Sequence, residues 1–421
     1  MKLWQKVVIA LLLGVTVGYL LNAKGPLGYD GSAYLTTYLK PVGTIFINLI
    51  KMVVVPLIFF SLVLGITSMT DAEAFKRIGI KSVVAYLFTA AFAVLIGLAF
   101  GALFEPGKNI DLSLLIQKQG IVTAPTTSSA QPFDLIKMFV DMVPSNAFEA
   151  MANDRILQVV VFAVFVAFTI NKLGSKVKII KDFCHAAAFL VFEMIQTIMG
   201  FAPYGVFALT AWVVSSQGMD VIKALAVLAA CVGCALFTQY LLFGLLIIVF
   251  GRMSPMPFYK KILETQSLAF STSSSKAALP TAMRVVNERM GVSASTTSFV
   301  LPLGTSINMD GTAIYLGITA LFFAQAYGIH LDFHQYVLLI LTATLGSIGA
   351  AGIPGGSIAM MGMVFTSVGL PLDGIAVILG IDRILDMLRT TVNITGDSVI
   401  TLLIDKSEGT FNKATYYDKN L

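Results

Sequence analysis

The chain has 421 residues, 57% hydrophobic and only 12% charged, with a mean hydropathy of +0.85. Water-soluble domains carry about 25% charged residues, so this composition excludes one and predicts an all-α polytopic membrane protein. The formal net charge of +5 calls for no nucleic acid, because Lys and Arg collect in alternate loops and not in one patch.

Apolar runs at 7–21, 42–68, 83–104, 156–170, 186–214 and 221–250 suit spans of about 20 residues. They are too long and continuous for the short alternating strands of a membrane barrel. Lys2 and Lys6 ahead of the first run imitate a secretory signal. Further spans follow, so an uncleaved first helix is expected. Lys76/Arg77/Lys81, Lys172/Lys176/Lys178/Lys181, Arg252/Lys260/Lys261 and Lys406/Lys413 fall on the side of Lys2 and Lys6. The opposite loops hold fewer, so both termini are predicted to face the cytoplasm, in a plasma membrane of the bacterial inner-membrane kind.

Residues 105–132 (with TAPTTSSAQP) read as an exposed outer loop, and 133–154 as an amphipathic stretch broken at Pro144. Lys51 and Glu193 lie in or beside spans, where snorkelling or pairing between helices accounts for them. Cys231 and Cys234 have redox-motif spacing, but in an apolar helix they read as packing residues.

After Arg252 the pattern changes. LAFSTSSSKAALP (268–280) and LGSIGAAGIPGG (345–356) interrupt apolar sequence, and SINMDGT (306–312) puts Asn308 and Asp310 inside a span. Irregular backbone at membrane depth is tolerated only where protein or a cavity satisfies it. Paired interruptions in a repeat point to a transport site. The repeat is 253–325 against 328–404, each a hairpin plus a helix, inverted across the membrane.

The last apolar region, GIDRILDMLRTTVNITGD (380–397), carries Asp382, Asp386, Arg389, Asn393 and Asp397 at spacings of 4, 3, 4 and 4. At about 100° per residue these share one helix face, with Thr390 on it and Arg383 at its edge. Charge at mid-bilayer costs at least about 2.5–3.5 kcal/mol, so the cluster reads as a functional site. The alternative is an i,i+3 pair of Asp386 and Arg389 that neutralises itself, which leaves Asp310, Asp382 and Asp397 unexplained. The surplus of carboxylates over Arg389 suits hard cations with oxygen ligands. A face turned to lipid, or packed dry and wholly self-neutralised, would remove the site.

VVPLIFFSLVLGI (54–66), the serine-rich tip, SINMDGTA, the GIPGG tip and LDMLRTTVNITGD together resemble the dicarboxylate/amino acid:cation symporter family over nearly the whole chain. The resemblance implies eight transmembrane helices plus two re-entrant hairpins in inverted repeats, assembled as a homotrimer. It implies scaffold helices 1–2 in 1–70 and 4–5 in 133–215. Helix 3 in 78–104 and residues 221–405 would form a transport domain that moves as an elevator. It also implies Na⁺-driven uptake of aspartate or glutamate, with no organic cofactor and no enzymatic activity. A proton-coupled glutamate or C4-dicarboxylate carrier is the alternative.

In the implied pocket Arg389 takes the side-chain carboxylate and Asp386 the ammonium. Asn393 and Ser274 take the α-carboxylate, and Thr312, Thr390 and backbone at Thr272 and Ile353 complete the site. One Na⁺ site is implied at Asp397 with carbonyls of Gly304, Asn308 and Asn393. A second joins Met309 to carbonyls of Ser306, Ser347, Ile348 and Ala350, and a third uses Asn308, Asp310, Tyr86 and Thr89. Retention of Asp397 favours Na⁺ over H⁺. There are four departures from the family pattern, of which three are Ala90 for a hydroxyl at the third ion site, Leu316 for a proton-carrying Glu, and Ser357 for a hairpin-tip Gly. The fourth departure is that neither Thr272 nor Met387 supplies the usual Arg, for which Lys276 or Arg383 are possible substitutes.

Other functions fit less well. His185, His330 and His334 are predicted near span ends with no serine elbow, which argues against an intramembrane protease. Gly352, Gly355 and Gly356 lack the Lys-Ser/Thr of a phosphate cradle, which argues against ATP-driven transport. A channel-like anion conductance stays open.

Overall fold

The computed structural model describes residues 3–22, 25–26, 31–67, 73–108, 110, 140, 143–153, 155–217, 220–349, 356–372 and 375–418. Among the described residues every regular element is helical, the form in which an apolar run satisfies its own backbone.

The first half holds α1 (Leu3–Leu20), α2 (Ser32–Tyr38), α3 (Lys40–Thr67), α4 (Glu73–Phe104), α5 (Ala147–Ala152), α6 (Ile156–Leu173), α7 (Lys178–Gly200), α8 (Ala202–Gln217) and α9 (Asp220–Val249). The short α5 is capped by Asn146, whose Oδ1 accepts from Phe148 N–H and Glu149 N–H. The apolar run 186–214 is not one helix. It turns at Phe201, and Pro203, with no N–H to donate, sits in the first turn of α8, where none is needed. Most of the 105–132 loop, part of the 133–154 stretch and the Lys51 side chain lie outside the described residues.

In the second half, α10 (Met256–Thr272) and α11 (Ser275–Arg284) meet at Ser273, which takes a left-handed conformation at φ 51°. Ser274 caps α11 by accepting from Ala277 N–H at 3.2 Å. Then come α12 (Ala294–Ile307) and α13 (Asp310–Ala326), separated where Asn308 and Met309 leave helical geometry. α14 (Phe333–Gly349) and α15 (Gly356–Ser367) flank the second expected tip, whose residues 350–355 lie outside the described set. The chain continues through α16 (Ile375–Glu408) and α17 (Lys413–Tyr417).

Among the described residues, Arg77–Phe104, Ile222–Val249 and Ala294–Ala326 are long and apolar enough to cross a membrane, the last counted through its break. α4 leaves Val84, Phe88, Phe92 and Leu95 exposed, an apolar stripe that suits lipid or partner contact and not water. α13 is the opposite case, with every residue except Gln325 buried. It packs against α4, α9, α14 and α16, and α16 also meets α10 and α12. Elsewhere α1 lies along α8, and α3 packs on α6, α7 and α8.

The chain's last described turns are tied to the base of α10. Buried Lys261 donates through Nζ to the carbonyls of Arg289 (2.7 Å), Thr415 (2.9 Å) and Tyr416 (3.1 Å). Tyr416 Oη donates to Ser254 O at 2.8 Å. At the end of α16, Glu408 pairs with Arg77 and with Lys81, the latter at 2.5 Å. The hydrogen bond from Lys81, seconded by Arg77, holds the Glu408 carboxyl below the ordinary glutamate range.

Candidate functional site

The polar face of α16 points inward. Asp382, Asp386, Arg389, Thr390, Asn393 and Asp397 are all buried, while Ile384 and Leu388 one step round the helix are exposed. The spaced polar residues thus share an inward face that does not meet lipid, and Leu385 and Val392 beside it are buried as well.

At one end of this face lies an arginine centre. Fully buried Arg389 donates from Nη1 to Asp382 Oδ1 at 2.9 Å, and from Nη2 to Asp386 Oδ1 at 2.9 Å and Ser357 Oγ at 2.8 Å. Its guanidinium lies 3.9 Å from the centre of the Tyr315 ring, a cation–π stack. Arg389 Nε has no partner. Arg383 reaches the other oxygen of Asp386 at 3.7 Å from a half-buried position. The self-neutralising pair is thus real in this state, and Asp382 belongs to it.

The other end is not neutralised. Asp397 Oδ1 accepts from Asn308 Nδ2 at 3.0 Å, and Asn308 Oδ1 accepts from Thr89 Oγ1 at 3.3 Å. Asp310 Oδ2 accepts from Gln239 Nε2 at 3.3 Å. Asp310 Oδ1 and Asp397 Oδ2 have no hydrogen-bond partner, and both residues are fully buried. Among the described residues no basic side chain pairs with either. Two buried carboxylates without counter-charge are costly, and the cost is relieved by a bound cation or by protonation.

Between the two ends the broken helix makes its contact. Asn393 accepts at Oδ1 from Gly311 N–H at 2.7 Å and donates from Nδ2 to Met309 Sδ at 3.2 Å. A Cβ on Gly311 would come within 2.7 Å of Arg389 O, so only glycine admits this approach of α13 to α16. A Cβ on Gly304 would likewise meet Tyr86 Oη at 2.6 Å and Asp397 Oδ1 at 2.7 Å, so the bare Cα of this residue is what lets both groups close on α12.

The remaining expected residues divide. Thr312 is buried in α13, and Thr390 is buried on the polar face of α16, where its Oγ1 donates to Asp386 O at 2.8 Å. Ser306 and Ser347 turn their hydroxyls to Pro302 O (3.0 Å) and Thr344 O (2.7 Å), in their own helices. Thr272 Oγ1 donates to Leu268 O at 2.8 Å. Ile353 and Ala350 lie outside the described residues, as does the side chain of Ile348. Three participants were not singled out for the roles they hold. Tyr315 and Gln239 lie in largely apolar helices with other polar residues near them in sequence, so nothing singles them out, and the bond from Arg389 to Ser357 follows only from tertiary packing.

A helical protein with exposed apolar helices around a buried, broken-helix cluster of acids and one arginine has the architecture of a membrane carrier. Residues 3–407 match the model of the sodium:dicarboxylate symporter family, and the chain belongs to that family. It is 34% identical over 411 residues to the "Proton/sodium-glutamate symport protein" of Geobacillus stearothermophilus, covering 97% of this chain and 95% of the relative. It is also 34% identical over 428 residues to the "Proton/glutamate-aspartate symporter" of Escherichia coli K12, covering 99% and 96%. The "C4-dicarboxylate transport protein" of Bacillus subtilis is 33% identical over 417 residues, covering 98% and 96%. The family is one of transporters and not of enzymes.

Proposed function

We propose that this protein is a secondary active symporter that couples inward Na⁺ flux to uptake of aspartate or glutamate. The observation that carries the reading is the buried charge. Asp310, Asp382, Asp386 and Asp397 are each less than a tenth exposed, against Arg389 inside and Arg383 at the rim. Two of those aspartates keep an oxygen without any partner. Cations supply charge, and a substrate ammonium supplies both charge and donors.

The guanidinium is the group for the substrate's distal carboxylate, because its planar fork matches two oxygens. That carboxylate takes over a donor held by Asp382 or Asp386, or uses the Nε–H that has no partner here. Displaced Asp386 then faces the ammonium. Asn393 and Ser274 serve the α-carboxylate, beside Thr312, Thr390 and backbone at Thr272 and Ile353. Na⁺ is carried at Asp397 with carbonyls of Gly304, Asn308 and Asn393. It is also carried at Met309 with carbonyls of Ser306, Ser347, Ile348 and Ala350, and at Asp310 with Asn308, Tyr86 and Thr89.

Eight spanning helices, two re-entrant hairpins, both termini in the cytoplasm of a bacterium and a homotrimer complete the proposal. A scaffold of 1–70 and 133–215 would flank a moving unit of 78–104 and 221–405. The packing of α1 and α3 on α8, and of α4 and α9 on α13, supports this division.

A C4-dicarboxylate carrier is the second reading, favoured by the name of one relative. Asp386 opposes it, since a substrate without an ammonium would meet that carboxylate unrelieved. Radiolabelled uptake into liposomes under an imposed Na⁺ gradient, challenged with aspartate, glutamate, succinate and serine, decides. Aspartate or glutamate is expected to compete and serine not. Uptake blocked by succinate alone, or indifferent to Na⁺, would refute the reading.

A further inference from the structure

Gln239 sits within α9, in the apolar sequence CALFTQYLLFG, and is 3% exposed. Its Nε2 donates to Asp310 Oδ2 at 3.3 Å, while its own Oε1 has no partner. Asp310 Oδ1 has no partner at hydrogen-bond geometry either, the nearby Thr89 hydroxyl being turned to Asn308 Oδ1 at 3.3 Å. A buried acceptor left unpaired costs about 1–3 kcal/mol, and each one in a native structure needs a reason. A water molecule would satisfy both oxygens, yet it would leave the carboxylate's charge without a counterpart. A cation satisfies both.

The observed distance is compatible with that. Turning the amide half a revolution exchanges Nε2 and Oε1, which puts two oxygens about 3.3 Å apart. Uncompensated, that approach is repulsive. A hard cation of calcium's size takes oxygens at about 2.3–2.6 Å, so two of them at that separation would subtend about 90° at the ion, an ordinary coordination angle.

We infer that Gln239 is a further ligand-bearing residue of the ion site at Asp310. Its N–H steadies the carboxylate when no ion is bound, and the turned amide offers Oε1 when one arrives. The inference rests on the Na⁺-symport reading above.

The test uses the full-length protein, with Gln239→Leu, Gln239→Glu and, as a control on the pocket, Asp310→Asn. Two readouts are taken at mildly alkaline pH: the half-saturating Na⁺ for aspartate uptake, and thermal stabilisation by Na⁺ in detergent without substrate. Gln239→Leu is expected to raise the half-saturating Na⁺ by about tenfold or more, the range seen when a metal site loses a supporting group. Gln239→Glu keeps an oxygen and is expected to stay within about threefold of the native protein. An unchanged Na⁺ requirement in Gln239→Leu overturns the inference, as does a Glu variant as impaired as the Leu variant. If Gln239→Leu does not fold, Gln239→Met, which also lacks the oxygen, takes its place with the same expectation. If Asp310→Asn leaves both readouts unchanged, the pocket is not an ion site and the inference falls with it. A Na⁺ response lost in Asp310→Asn but intact in Gln239→Leu sinks the role of Gln239 and spares the wider reading.

Discussion

Replacing Arg389 with alanine tests the centre of the site. The guanidinium makes two 2.9 Å bonds to buried carboxylates, one 2.8 Å bond to Ser357 and a stack on Tyr315. Its loss strands Asp382 and Asp386, with Arg383 left only a 3.7 Å approach to the latter. Breaking a buried pair by removing one partner costs about 3–5 kcal/mol. For a bound acidic substrate, each charge-assisted bond lost is worth about 1.5–3 kcal/mol. Two such bonds correspond to an affinity loss of at least about 100-fold. The assays are aspartate binding to purified protein and the denaturation midpoint in detergent, applied to Arg389→Ala, Asp382→Asn and the double variant. Because the partners touch, the double variant is expected to be more stable than the sum of the single effects by at least about 1 kcal/mol. Aspartate affinity unchanged in Arg389→Ala would refute the pocket, and strictly additive stability effects would refute the energetic coupling.

Asp397→Asn, which removes a buried charge whose Oδ2 has no partner, is expected to weaken the Na⁺ dependence of uptake, read from a Na⁺ titration. Gly311→Ala must push α13 from α16, since its Cβ would lie 2.7 Å from Arg389 O and 2.9 Å from Arg389 Cα. A cost of about 1–3 kcal/mol in denaturant stability and a loss of uptake are expected. Glu408, whose carboxyl is held low by Lys81 and Arg77, contributes stability that is present above the ordinary glutamate pKa and lost as pH falls through its depressed value. The melting difference between native protein and Glu408→Gln should therefore be present at neutral pH and vanish under acid.

Much of this was legible because two signals, one periodicity and one helix break, are unambiguous. The spacing of Asp382, Asp386, Arg389, Asn393 and Asp397 admits one helix face and all five are buried on it, although from Val392 to Leu402 the helix is buried all round. SINMDGT announced a break, and the helix does stop at Ile307 and resume at Asp310. What sequence does not hold is the partner across space. Ser357 reads as a departure in a glycine-rich tip, and nothing in its neighbours points to a guanidinium. Gln239, between Thr238 and Tyr240, and Tyr315 lie in largely apolar helices, so hydropathy alone assigns them to packing. The run 186–214 misled for another reason: hydropathy is blind to a turn at Phe201 whose flanks are equally apolar.

The anchorage of residues 412–417 bears on how freely the end of the chain can vary. Lys261 has its ammonium lodged among three backbone oxygens, two of them supplied by Thr415 and Tyr416. Those six residues are thus a foundation stone for the first hairpin and not a trailing appendage. Cutting back to the end of α16 would maroon a positive charge beneath α10.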